Sequence, residues 1–260
     1  MKACEFREHC VSIAHWVDWE NTCDQFMAGD PHAEVRGIAV TWLATNARLR
    51  EAAALGLNFV IAHEGAFYPQ YAKSESGARH HAEKRQLVDE LGLTLMRCHD
   101  TWDRMPEVGI PDAWAQFLGF PTDPRPVESF HRICHVGPST LGEVARRVAE
   151  KVRPLGQEVV HVVGAEGTPV TRMAVGTGAI TRLPEMYELG ADLLLVTDDG
   201  ISTTAAGLYS HDLGVPMLVV NHATAELPGM MAMVGYLEGV VPGVPTRYLP
   251  GEFPAPVVLS

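Results

Sequence analysis

Two stretches of this chain place donor groups at a spacing that suits metal chemistry. LGVPMLVVNHATAE ends with His222 and Glu226, and LGLTLMRCHDTWD ends with His99 and Asp103. In each, a Leu-Gly turn precedes an apolar run, the run ends at a histidine, and a carboxylate follows four residues on. Short apolar runs bounded by glycine and polar residues read as buried strands. In open α/β sheets, ligands sit beyond the carboxyl ends of such strands. An imidazole and a carboxylate together at that place suit a divalent cation. The same pair also fits a histidine capping a strand and an acid in the first turn of the next helix, so a metal site needs donors from elsewhere in the chain.

Two further strand ends supply them. NFVIA runs into His63-Glu64-Gly65, and DLLLVT runs into Asp198-Asp199-Gly200. These segments belong to an internal echo. RGIAV leads through a helix to LGLNFVIAHEG, and RMAV leads through a helix to LGADLLLVTDDG. The intervals from Arg36 to Gly56 and from Arg172 to Gly190 are 20 and 18 positions. Two matches in the same order in both halves point to a duplicated βαβ unit. Strand ends from the two halves can then face a common cleft holding His63, Glu64, His99, Asp103, Asp198, Asp199, His222 and Glu226. This mixed N/O set suits zinc, manganese or iron rather than calcium. It is large enough for two ions bridged by a carboxylate, an arrangement that lowers the pKa of a bound water to about 7.

The elements that must position these groups alternate along the chain. A first amphipathic helix is expected over Glu5 to Asp18, then a polar irregular stretch, NTCDQFMAGDPHAE. A strand follows from Val35 to Leu43, then a helix from an Asn46 N-cap to Leu55, stopped at Gly56. After the NFVIA strand, Ser76 to Leu91 reads as a polar-faced helix, and LTLMRC as the third strand. A proline-rich connection, GFPTDPRPVESF, leads to the second half. There, strands are expected at His131 to Val136, Glu158 to Val163 and Arg172 to Val175. Helices are expected at Ser139 to Lys151, with Ser139 as N-cap, and near Leu183 to Leu189. The DLLLVT strand, a helix from Ser202 to Leu213, the MLVV strand and a helix from Glu226 to Leu237 complete the series. The tail from Pro242 is proline-rich and not helical. Strands alternating with helices imply an α/β fold of two related lobes with largely parallel sheets, 1–125 and 126–260.

Rival constellations carry less. His80-His81 with Glu83 reads as a solvated surface pair on a polar helix, because adjacent residues do not share a helix face. VGTGAI and VVGAEGTP lack the dinucleotide and Walker patterns, and a tight turn is the default at Gly176 to Gly178. No GxSxG or HExxH occurs. Cys98 reads as a buried thiol and Trp102 as a packed aromatic. Five cysteines without a CxxC pair oppose a disulfide framework or a zinc finger. A net charge of −12 without a basic cluster opposes nucleic acid as a partner. An apolar fraction of 47% and a charged fraction of 20% suit a globular core. No run of membrane-spanning length and no signal-peptide pattern at Met1 to Glu8 are present, so a cytoplasmic protein without membrane association is expected.

With these motifs in order, the chain resembles the Nif-three-like proteins, also known as GTP cyclohydrolase type-two-like or dinuclear-metal-centre hexameric proteins. CDQFMAGDP, AHEG, HDTWD, VGTGA, LLVTDDG and NHATAE carry the resemblance, from about Asp24 to Leu237. It implies two related α/β lobes with a dinuclear metal site in the cleft between them, and a toroidal homo-hexamer. Carried over position by position, it implies metal ligation by His63, Glu64, Asp103, His222 and Glu226, with Glu226 as the bridge. His99 would support the ligands, and Asp199 would take the place of the family's acidic turn residue. Glu64 stands where a second histidine is usual, which shifts preference toward harder ions and also allows a single filled site. Asp198 replaces a glycine. No long insert domain is present. The function implied is hydrolysis of a small molecule by metal-activated water, with His99 or Asp199 moving protons. The alternatives are a non-catalytic metal-binding or metal-handling scaffold and a GTP cyclohydrolase-like C–N hydrolase. The cofactors expected are one or two divalent ions per chain.

Overall fold

The computed structural model describes residues 1–124 and 129–251. In chain order, α1 (Ala3–Ile13) is followed by β1 (Phe26–Ala28), β2 (Ile38–Thr41), α2 (Asn46–Ala54), β3 (Phe59–Ala62), α3 (Glu75–Glu90), β4 (Thr94–Arg97) and the short α4 (Asp100–Arg104). Then come α5 (Ile110–Leu118), β5 (Arg132–Thr140), α6 (Leu141–Val152), β6 (His161–Val163), β7 (Pro169–Val175), α7 (Leu183–Glu188) and β8 (Leu193–Thr197). The series closes with α8 (Thr203–Leu213), β9 (Met217–Val220), α9 (His222–Val240) and β10 (Thr246–Tyr248). Among the described residues, no helix is long and apolar enough to cross a membrane.

Contacts divide the chain into two compact units. One is Met1–Met105 joined by the described residues from Met230 onward, and the other is Pro106–Gly229. The sequence places a boundary between 125 and 126, among residues 125–128 that lie outside the described ones. The first compact unit ends at Met105, and the segment from Met230 returns to it, where β10, from the proline-rich tail, pairs in parallel with β2. The remainder of that tail, 252–260, also lies outside the described residues.

Each unit is built on a five-stranded sheet. The orders are β1-β4-β3-β2-β10 and β5-β7-β8-β9-β6. Within the first, β2, β3 and β4 run parallel, and β1 joins β4 antiparallel. Within the second, β7, β8 and β9 run parallel, and β6 joins β9 antiparallel. Four strands therefore repeat in the same order, β1-β4-β3-β2 matching β6-β9-β8-β7; the sequence echo covers β2, β3 and β4 against β7, β8 and β9, whereas β1 lies in the stretch expected to be irregular. The fifth strands differ, β10 being parallel to β2 and β5 antiparallel to β7.

These sheets are covered on both faces at their centres, which is why β2, β3, β8 and β9 are buried at every residue rather than alternating. Leu193 and Leu195 of β8 point into one cluster with Trp114 of α5 and Val144 and Val148 of α6. Leu194 and Val196 point into the opposite cluster with Met186 of α7 and Ala206 of α8. In the first unit, Val60 and Ala62 of β3 meet Leu49 of α2 and Leu87 and Val88 of α3. Phe59 points to the other face, where its ring meets Phe6 of α1 at 5.9 Å.

Helix starts differ from expectation by small, explicable shifts. Thr45 rather than Asn46 caps α2, its hydroxyl accepting from Arg48 N. Thr140 rather than Ser139 caps α6, because Thr140 and Glu143 form a reciprocal capping box. The largest shift is at α9, which starts at His222 instead of Glu226. Asn221 Oδ1 accepts from Ala223 N at 3.1 Å, and Asp198 Oδ1 accepts from His222 N at 3.0 Å, so the first turn forms four residues early. His222 and Glu226 thus lie at i and i+4 on one helical face. Close packing continues to Gly229, where a Cβ would meet Ile110 Cδ1 at 2.6 Å.

His131, at the start of β5, shows how burial sets an acid sensitivity in the second unit. It is 4% exposed, and Glu185 Oε2 lies 3.8 Å from its Nε2. Burial, only partly opposed by Glu185, pulls its pKa down to about 4. The unfolded chain protonates this imidazole near pH 6.5 while the folded chain resists until about pH 4. Between those values the unfolded state binds more protons, so stability falls as pH falls. His131→Gln is expected to remove a stability loss on the order of 2 kcal/mol between pH 7 and pH 4. Urea denaturation of both proteins across that range checks it; parallel pH profiles would contradict it.

Candidate metal centre

In the first unit, His63 immediately follows β3, and His99 and Asp103 flank and occupy α4. Their ligating atoms gather into one group within 4.8 Å of one another. His63 is fully buried. Its Nδ1 lies 3.3 Å from Cys98 O, and a carbonyl only accepts, so Nδ1 carries the proton. That tautomer presents Nε2 to Asp103 Oδ1 at 3.4 Å. A histidine held through one nitrogen and offering the other is how proteins orient metal ligands.

His99 stacks on His63, centroids 4.4 Å apart, but its role differs. Its Nδ1 lies 3.0 Å from Asp100 Oδ1 and 3.3 Å from Asp103 Oδ2. Burial pulls this imidazole down, yet Asp103 and the Asp100 hydrogen bond together push its pKa up to about 12. It behaves as a cation that steadies Asp103. His99 also shares a second donor group with Cys23 and Asp100, which the sequence did not single out.

One buried residue fixes this turn. Asp24 Oδ1 accepts from His99 N at 2.6 Å and Asp100 N at 2.9 Å, and Oδ2 accepts from Thr101 N at 2.8 Å. These are donors at the start of α4, where a carboxylate is favoured. Sequence reasoning missed this role, because Asp24 lies 75 residues from His99. The segment CDQFMAGDP that contains it was visible only as part of a resemblance.

Glu64 is placed differently from its neighbours. Its Oε2 lies 3.0 Å from Arg97 Nη2, and Arg97 Nε donates to His63 O at 2.9 Å. Trp102 is 2% exposed with its ring 5.4 Å from Tyr236, and it is a packed aromatic as expected. Cys98 is buried, and its hydrogen bond with Cys10, then burial, push its thiol pKa well up.

The second unit repeats the device. His222 Nδ1 lies 2.7 Å from Asp199 Oδ2, and Nε2 lies 3.0 Å from Glu226 Oε2. Burial lowers the His222 pKa, but the Glu226 hydrogen bond and then Asp199 overrule it and raise it to about 10. Asp198 Oδ2 accepts from Asn221 Nδ2 at 2.8 Å, so the Asp198-Asp199 turn grips the start of α9. Glu226 is 2% exposed.

A glycine loop comes against this pair. Gly178 has φ +55°, and a Cβ there would collide with Glu226 Oε1 and lie 3.2 Å from His222 Nε2. Thr197, at the end of β8, donates to Gly178 O. The expected tight turn is present, as the Thr177–Ile180 bridge, and its tip also makes a close approach to the donor pair. In each unit, mixed N/O donors converge on Nε2 of a histidine anchored through Nδ1. That donor set fits a divalent cation that accepts imidazole and carboxylate. Gly178→Ala is expected to weaken divalent-metal binding at least tenfold and to cost about 1 kcal/mol of stability from its left-handed backbone. Indicator titration and thermal denaturation check this, and wild-type values for both would contradict it.

The family model for Duf34/NIF3 (NGG1p interacting factor 3) matches residues 3–247. The chain belongs to the Duf34/NIF3 family. Solved structures agree on the fold of this family member. A Bacillus cereus protein related to NIF3 superposes with a TM-score of 0.81 at 14% identity, covering 100% of this chain and 99% of that one. Protein ybgI, described as of unknown function, gives 0.80 at 19% identity, covering 98% and 100%. TTHA1606 from Thermus thermophilus gives 0.72 at 19% identity, covering 99% and 100%. No curated protein matches the chain in sequence. The Duf34/NIF3 assignment and the mixed α/β fold are those the resemblance implied.

Proposed function

We propose that this Duf34/NIF3 protein binds one or two divalent ions, zinc, manganese or iron, and uses them to hydrolyse a small molecule. The observation that carries the proposal is the repeated device: an imidazole anchored through Nδ1, with Nε2 3.4 Å from Asp103 in one unit and 3.0 Å from Glu226 in the other. The ligands proposed are His63, Asp103, His222 and Glu226, with Glu64 as a fifth that would exchange its Arg97 pairing for metal. A bound divalent ion supplies Lewis acidity that activates water near neutral pH. The chain's own groups orient the donors: Cys98 O and Asp199 hold the two ligating imidazoles, and Asp24 holds the His99 turn. Asp199, hydrogen-bonded to His222 Nδ1 and partly accessible, is the group placed to accept a proton, and His99, held as a cation beside Asp103, is placed to donate one. The family resemblance adds the proposal of a homo-hexamer, checked by light scattering against six times the 28.3 kDa chain mass.

The activity is tested with p-nitrophenyl phosphate and a cyclic amide on chelated and metal-reloaded protein. Turnover of either probe should appear with zinc, manganese or iron and vanish on chelation. Tight metal binding with neither probe turned over would instead favour a scaffold role, the reading to which the near-complete burial of His63 and Glu226 lends support.

A further inference from the structure

The first unit contains a cavity that the metal reading does not use. Its volume is about 470 Å³, within the range of small-molecule sites. Tyr68, Tyr71, His80, His81 and Lys84 line it. The sequence reads His80-His81 as a solvated pair; His80 is exposed and His81 half-buried, and both residues line this open cavity. Tyr68 and Tyr71 meet edge to face at 6.0 Å, and Tyr71 is 62% exposed, so it stands at the mouth.

Lys84 is the unusual member. It sits on the inner face of α3 at 6% exposure, and its Nζ donates to Ala44 O at 2.7 Å. An ammonium has three donors, and a buried cation is costly unless it is paired. Among the described residues no carboxylate lies within ion-pairing distance of it, and burial alone lowers its pKa. The cavity therefore presents a buried cation without an anion, flanked by four flat rings. We infer that this cavity binds a small organic oxyanion, a phosphate or carboxylate group joined to a planar ring. The oxyanion pairs with Lys84 and the ring lies among Tyr68, Tyr71, His80 and His81, where aromatic faces favour it. This inference goes beyond the metal reading and does not depend on it.

Phenyl phosphate is the probe, titrated calorimetrically into the full chain after metal is stripped and the chelator dialysed away. Saturable one-site binding is expected, at least tenfold tighter than inorganic phosphate. Lys84→Gln keeps a donor for Ala44 O but removes the charge, and it should weaken binding at least tenfold at an unchanged thermal midpoint. Should that variant not fold, Tyr71→Ala at the exposed mouth decides, with an expected loss of threefold or more for phenyl phosphate and none for inorganic phosphate. Absence of saturable binding, equal affinity in folded Lys84→Gln, or wild-type affinity in Tyr71→Ala where that variant must decide would each overturn the inference. Binding that appears only after zinc is added back would assign the anion to the metal ligands and overturn it too.

Discussion

Glu226→Gln is expected to weaken divalent-metal binding by roughly 100-fold or more, beyond the 10–100-fold typical of losing a group that only supports a ligand. Glutamine keeps the volume and one acceptor oxygen, so the tight surroundings of this 2% exposed side chain survive. What it loses is the charge beside His222 Nε2, 3.0 Å away in the wild type. The helix should not change, since α9 is started by Asn221 and Asp198 rather than by Glu226. Competition against a zinc indicator measures the affinity, and far-ultraviolet circular dichroism the fold. Metal-dependent turnover should disappear with the metal. Unchanged affinity in a folded variant would remove Glu226 from the ligand set. Failure to fold or assemble would favour a metal with a structural role.

Asp24→Ala is expected to have the second large effect, although Asp24 is not among the proposed ligands. Its carboxylate takes the backbone N–H groups of His99, Asp100 and Thr101. Leaving buried donors without a partner costs about 1–3 kcal/mol each. A loss on the order of 3 kcal/mol is expected, which lowers Tm by roughly 10 °C in a chain of this size. Metal affinity should also fall about tenfold or more, because the same turn places His99 and starts the helix that carries Asp103. Asp24→Asn, with one acceptor oxygen left, should fall between alanine and wild type. Calorimetric melting and the indicator titration measure both effects together. Wild-type Tm and affinity in Asp24→Ala would show that α4 holds its donors without this cap.

The parts of the fold legible in the sequence were those set by local chemistry. Apolar runs such as NFVIA and DLLLVT became buried parallel strands, because both faces of each sheet are covered. The Leu-Gly turns marked helix ends, and the spacing of His222 and Glu226 anticipated their pairing on one side. What escaped was set by distant partners. β1 and β10 have three residues each and exist only through pairing with β4 and β2. Asp24 looks like any aspartate until the His99 turn is folded against it. The start of α9 was misread because its cap comes partly from Asp198, 24 residues earlier. Lys84 gave no signal at all, since a lysine on a polar helix is ordinarily solvated.

Where metal binds is the property that both histidine–carboxylate pairs decide. Anomalous scattering at the zinc, iron and manganese edges, from crystals of the full chain grown without added metal, locates each ion and names its element. The expected result is density about 2.0–2.2 Å from His63 Nε2 and an Asp103 oxygen, and likewise from His222 Nε2 and a Glu226 oxygen. Ordered side chains with no anomalous peak beside either pair, even after soaking in zinc or manganese, would contradict it.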